Sequence, residues 1–280
     1  MNSIQWFPGH MKKTLKDIQN NLKFVDCVLV ILDARIPFSS MNFELLNLLN
    51  NKPVLVLFNK SFLVNLKENA FFVDYFNKKN INTLNIDAKA RLNIEKIYPK
   101  IQDILKKNNR RIKKTLKFMI VGAPNVGKST LINCLSKRKI AKTANLPGIT
   151  RQMQWFHLTN NIMLLDTPGC LWPKFKYQEI GYSLSICGCI KENLLLKEEI
   201  VVYFLNYLKK HYPVYLRKLF NLNQIDLQKE NLLQTILDKI NISQNSSSKM
   251  DNLLLSFIFN KIKNNLSQKI NYDLDLKYLF

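Results

Sequence analysis

Eight consecutive residues, Gly122-Ala123-Pro124-Asn125-Val126-Gly127-Lys128-Ser129, have the composition and spacing of a loop that holds phosphate. Its glycines let the backbone turn N–H groups toward an anion, the lysine reaches β- and γ-phosphates, and the serine offers a hydroxyl to Mg²⁺. The apolar run 116–121 before it reads as a strand, and residues 128–137 after it have helical periodicity. Strand, glycine turn and helix are the setting in which this pattern works. Nucleotide phosphate is therefore the expected ligand, with Asn125, Val126, Gly127, Lys128, Ser129 and Thr130 around it.

Further along, the apolar stretch 162–165 runs into Asp166-Thr167-Pro168-Gly169. Asp166 is placed to join Ser129 on the metal, and the Gly169 N–H to meet a third phosphate, which makes the site sensitive to nucleotide state. Between the two lies Leu146-Pro147-Gly148-Ile149-Thr150-Arg151, where the Thr150 hydroxyl is expected to close over Mg²⁺ in the triphosphate state. An ordinary Pro-Gly turn is the alternative. Two more polar groups end apolar runs: Asn59-Lys60 after 54–58, and Asp87-Ala88-Lys89 after 82–86. Carboxyl ends of parallel strands are where open α/β sheets bind ligands, so these are base-side candidates. Asn59 and the Ala88 N–H are expected near the purine O6.

The elements that must position these groups alternate. A basic amphipathic helix at 12–22 precedes a continuous apolar strand at 25–33, a short helix at 42–49 and the strand 54–58. An amphipathic stretch at 69–78, a strand at 82–86 and a helix at 94–105 lead to the phosphate loop, with strands at 153–158 and 162–165 beyond it. This order predicts an α/β domain over 1–178, mostly parallel, with helices on both faces. Its N-terminal segment, 1–22, carries His10. After 179 only helical periodicity remains, at 198–209, 229–240 and 249–262, predicting a small all-α domain over 179–280. The charge run Lys106 to Lys114 reads equally as a solvated connector and as an RNA-facing element.

The chain has 280 residues, with 42 Lys+Arg against 20 Asp+Glu and a net charge of +22. That excess predicts a polyanionic partner, although abundant Lys, Asn and Ile also suggest drift in an AT-rich genome. Five scattered cysteines argue against a disulfide framework and for a reducing compartment. Cys187-Gly188-Cys189 lacks a matching second pair, and buried structural thiols are expected rather than zinc ligands. No apolar run approaches a membrane span or signal peptide, so a cytoplasmic protein without a membrane partner is expected.

The order Asn59-Lys60, Asp87-Ala88-Lys89, phosphate loop, Thr150, Asp166-Thr167-Pro168-Gly169 resembles the circularly permuted GTPases. Trp6-Phe7-Pro8-Gly9-His10-Met11, Asp33-Ala34-Arg35-Ile36-Pro37 and Gln154-Trp155 are similar to the ribosome biogenesis GTPase A family. The resemblance implies a P-loop GTPase of large-subunit maturation that binds GTP/GDP and Mg²⁺ and docks on the pre-ribosome and its rRNA, with no role for DNA. It assigns the orientation of attacking water to His10, whose other reading is a surface residue at a helix start. It also associates Asn125 with a K⁺ ion, against a plain turn-forming role after Pro124. Two positions depart from the family pattern. Phe62 stands where Asn-Lys-x-Asp has its guanine-reading carboxylate, and Cys170 follows Gly169 without an amide side chain. The alternative function is accordingly an RNA-binding scaffold with weak hydrolysis and relaxed nucleotide specificity.

Overall fold

The computed structural model describes residues 8–49, 52–110, 113–141, 152–159, 161–171, 175–240, 248–264 and 269–278. Helix α1 (Pro8–Asn21) ends in a 3-10 turn and leads into β1 (Cys27–Asp33), buried along its whole length. A strand with no exposed side needs cover on both faces, and an unbroken apolar sequence meets that need. Helix α2 (Phe43–Leu48) starts at Asn42, whose side chain accepts from the Leu45 N–H, and β2 (Val54–Asn59) follows. Helix α3 (Leu66–Lys78) is capped in the same way by Asn65, one of the residue types favoured there. Then come β3 (Asn82–Asn85), α4 (Ile97–Lys107), β4 (Leu116–Gly122), α5 (Lys128–Ser136), β5 (Gln154–Thr159) and β6 (Ile162–Asp166).

Among the described residues six strands form one sheet in the order β3-β2-β1-β4-β6-β5. All neighbours are parallel except β5, which pairs antiparallel with β6 at the edge. From β1 the chain builds outward through β2 to β3, then crosses back to lay β4 on the other side of β1. The order therefore reverses between β1 and β4, and the carboxyl ends of strands at such a reversal are where open α/β sheets bind ligands. Asp33 and the phosphate loop both lie there.

The rest is helical: α6 (Gln178–Ile186), α7 (Lys197–His211), α8 (Pro213–Phe220), α9 (Gln224–Gln228), α10 (Leu232–Ile240) and α11 (Ser248–Lys263). Helices α6, α8 and α9 lie outside the three stretches of helical periodicity in the sequence. Pro213 at the first helical position starts α8, left-handed Asn221 stops it, and a reciprocal Asn223–Asp226 capping box holds the five-residue α9.

Secondary structure changes character near residue 178, but the contacts do not separate there. The stretch from Ile270 to Leu276, buried except at Asp275, inserts between the helices and the α/β unit. Asp273 accepts from the Ser39 N–H at 2.8 Å and the Ser39 hydroxyl at 2.6 Å, while the Tyr272 N–H donates to the Arg35 carbonyl at 2.7 Å. Asn271 donates to Asn69, and Tyr207 donates to the Asn271 carbonyl at 2.6 Å.

Candidate nucleotide site

The phosphate loop connects β4 to α5 as its sequence requires. Gly127 has φ +106°, and a Cβ there would lie 2.2 Å from Asn59 Nδ2, so both conformation and space restrict the position to glycine. Gly169 is pressed onto the same loop: a Cβ would come within 2.8 Å of Pro124. The Cys170 N–H donates to the Gly122 carbonyl at 3.1 Å and the Thr167 hydroxyl to the Ile120 carbonyl at 2.8 Å. The segment expected to sense the third phosphate is thus fastened beside the phosphate loop.

Lys128 is buried, its Nζ donating to the carbonyls of Gly122 at 3.0 Å and Ala123 at 2.8 Å. Burial lowers its pKa to about 8, against the pull of Asp166. Asp166 ends β6 and is itself buried. Ser129 and Thr130 occupy the first turn of α5, half-buried. One hydroxyl and one carboxylate make a sparse, hard-oxygen donor set. That fits Mg²⁺, which keeps water and phosphate oxygens as its other ligands.

The groups expected on the base side form a tighter network than spacing alone suggests. Asn59 Nδ2 donates to the Val126 carbonyl at 2.7 Å, and its Oδ1 accepts from the Ala88 N–H at 2.9 Å. The Ala88 N–H, expected on the purine O6, is directed here at Asn59, which ties the phosphate loop to the 87–90 turn. Asp87 accepts from the N–H groups of Lys89 and Ala90 at 3.0 and 2.8 Å and shapes that turn. Lys60 Nζ donates to the Asn125 carbonyl at 2.9 Å and to Asp33 at 2.7 Å.

Asp33, to which residue spacing assigns no role, is the hub. Fully buried, it receives Lys60 and also Arg35, whose Nε and Nη2 donate at 3.0 and 2.7 Å. Burial alone would raise its pKa, but Arg35 and Lys60 outweigh that and hold the carboxyl well below its usual range. A charge closing an otherwise apolar strand was the available signal. Asn125, at φ +58°, donates its amide to the Gly188 carbonyl at 2.7 Å, a bond from the phosphate loop to the turn after α6. Nothing in the spacing pointed to that pairing.

Other expectations resolve unevenly. Thr150 and its loop lie outside the described residues; the backbone of His10 lies in α1, but its side chain is likewise outside them. Cys187 and Cys189 are buried thiols, and burial pushes Cys189 up to about 12. Cys170 is buried too, its Sγ facing Asn42 Nδ2 at 3.7 Å, with its pKa pushed up to about 11 by burial. It is packed as a core residue. Among the described residues, no helix is long and apolar enough to cross a membrane.

Comparison with known proteins agrees with this geometry. Residues 117–244 match the family described as 50S ribosome-binding GTPase, beginning at β4, the strand that feeds the phosphate loop. Ribosome biogenesis GTPase A of Priestia megaterium is 41% identical over 230 residues, covering 80% of this chain and 80% of that protein. Mitochondrial ribosome-associated GTPase 1 of Mus musculus is 38% identical over 224 residues, covering 74% and 67%. Among solved structures, GDP-bound TM YlqF has a TM-score of 0.56 at 21% identity, covering 91% of this chain and 97% of that one. With the base-side strands placed before the phosphate loop and the sheet closing around both, the chain is a circularly permuted GTPase and belongs to the ribosome biogenesis GTPase A family.

Proposed function

We propose that this GTPase uses hydrolysis of GTP to time its docking on, and release from, the assembling large ribosomal subunit in the cytoplasm, holding rRNA with its basic helical region. The observation that carries this reading is the Asn125–Gly188 hydrogen bond. The loop that grips the phosphates is bonded directly to the helical module, so a change in loop geometry is transmitted without a flexible linker.

In this scheme Lys128 swings from the Gly122 and Ala123 carbonyls to the β- and γ-phosphates, regaining charge partners for a buried ammonium. Ser129, Thr150 and Asp166 would hold Mg²⁺, which would supply neutralisation of the phosphate oxygens. The N–H of Gly169 senses the third phosphate. Asn59 positions Val126 and Ala88 rather than reading the base with its own amide, and Lys60 and Asp87 hold the loops on either side. His10 orients the attacking water. A potassium ion beside the phosphates would be met by the amide oxygen of Asn125, since its nitrogen is bonded to Gly188.

Single-turnover hydrolysis with and without large subunits tests the scheme. Subunits should accelerate turnover, and His10→Ala should remove roughly 10²-fold of the stimulated rate while leaving nucleotide affinity within a few-fold. Equal turnover by His10→Ala would return that residue to a surface role, and no acceleration at all would favour a scaffold.

A further inference from the structure

Strands β1, β2 and β4 carry the nucleotide site at their carboxyl ends; at their amino ends, about 20 Å away by strand length, cations collect. Lys52 stands before β2, and Arg110, Lys113 and Lys114 lie on the connector into β4. Lys106 and Lys107 extend the cluster along the last turn of α4. The carboxylate in their midst, Asp26, is engaged: it accepts from Lys113 Nζ at 2.7 Å and from the Lys117 N–H at 2.9 Å. Burial lowers the pKa of Lys52, and the nearby charges of Arg110 and Lys113 lower it further. These cations thus crowd each other.

Fold stability explains only part of this arrangement. Lys106 and Lys107 suit a helix C-terminus, where the dipole favours cations. Lys52 donates to the Val25 carbonyl at 3.0 Å and Lys113 is paired with Asp26, so the fold accounts for both, whereas the exposed Lys114 beside them adds like charge that an external anion would offset. We propose that this amino-end rim is a second RNA-contacting surface, engaging the phosphate backbone of a duplex independently of the helical region. Three adjacent strands span about 10 Å, the length over which one strand of a duplex presents about three phosphates. An anionic membrane fits less well, because such surfaces add a row of apolar side chains for insertion, and among the described residues of this rim Phe24 is the single large apolar side chain exposed, beside Asn108 and Asn109.

This proposal rests on the reading that RNA is the partner, and the test separates the two. Full-length protein is titrated with a mixed-sequence RNA duplex and with large subunits across a salt series. One variant combines Lys106→Gln, Lys107→Gln and Lys114→Gln; a control with the same charge loss combines Lys67→Gln, Lys78→Gln and Lys96→Gln. All six side chains are exposed. The rim variant should lower the log–log salt slope for duplex RNA by about 2–3, at roughly 0.9 for each phosphate no longer neutralised, and weaken binding tenfold or more at ~0.1 M salt. The control should change little, and GTP affinity should stay unchanged in both. Equal effects of the two variants would overturn the rim and leave only a general charge effect. Wild-type protein that binds neither RNA nor subunits would overturn the parent reading with it. Preferential capture by phosphatidylserine vesicles, lost in the rim variant, would overturn RNA in favour of a membrane.

Discussion

The two ends of one sheet use positive charge in opposite ways. At the carboxyl ends Lys128, Lys60 and Arg35 are buried or partly buried, and each donates to a named carbonyl or carboxylate within 3.0 Å. At the amino ends Lys106, Lys107 and Lys114 are exposed. A buried cation must have its partners, so it fixes the geometry of the loops around it. An exposed one contributes field but little shape. The first arrangement suits recognition of one small ligand, the second an extended polyanion whose details vary.

Substitutions at the carboxyl end should therefore act sharply and specifically. The largest effect is expected for Lys128→Ala, which would remove the charge-assisted contact to two phosphates proposed for it and should abolish detectable nucleotide binding at micromolar concentration. Retained binding would mean that the loop does not hold phosphate in the way its geometry implies. Next, Asn59→Ala leaves the buried Val126 carbonyl and Ala88 N–H without their partner. A loss of about 2–4 kcal/mol in denaturant-monitored stability is expected from two orphaned groups. Nucleotide affinity should fall with it as the two loops part. A variant as stable as wild type would show that Asn59 is not a brace.

Phe62 tests how the base is read. Its ring is 61% exposed, with Lys269 Nζ 5.3 Å from its centroid, at the position where the family pattern has an aspartate. Wild type should discriminate little between GTP and ITP, which lacks the exocyclic amine. Phe62→Asp should widen the ratio by about 1–3 kcal/mol, or roughly 5- to 150-fold. A hundredfold preference already present in wild type would show that another acceptor does this work.

The smallest effect concerns pH. In the free protein Lys128 titrates at about 8, lowered by burial, whereas phosphate contact requires the ammonium. Binding above that pH must take up a proton, so GTP affinity should fall by up to about tenfold per pH unit beyond 8 and stay flat below it. Affinity that is level from pH 7 to 9.5 would show that Lys128 keeps its proton without nucleotide. Binding to the amino-end rim should show no such step there and should respond to salt instead.

How legible each end was follows from the same contrast. Apolar runs closing in Asp33, Asn59 and Asp166 announced strand ends, because a parallel strand covered on both faces leaves one place for a polar residue. The phosphate loop was readable because its glycines and lysine do their work locally. Partners across the chain were not readable: Asn125 meets Gly188 and Asn59 meets Val126 only after the sheet is assembled. The stretch from Ile270 to Leu276 carried no readable signal for a related reason. Its Asn271 and Asp273 look like surface residues, yet both are buried because Ser39, Asn69 and Tyr207 satisfy neighbouring polar groups. The antiparallel direction of β5 was also hidden, since strand propensity says nothing about orientation.

Coupling between the phosphate loop and the ribosome is the central claim, and co-sedimentation with large ribosomal subunits in two nucleotide states measures it directly. With a non-hydrolysable GTP analogue the protein should pellet with subunits, with GDP it should remain largely in the supernatant, and Asn125→Ala should narrow the difference by cutting the bond to Gly188. Equal sedimentation in both states, unchanged by Asn125→Ala, would contradict it.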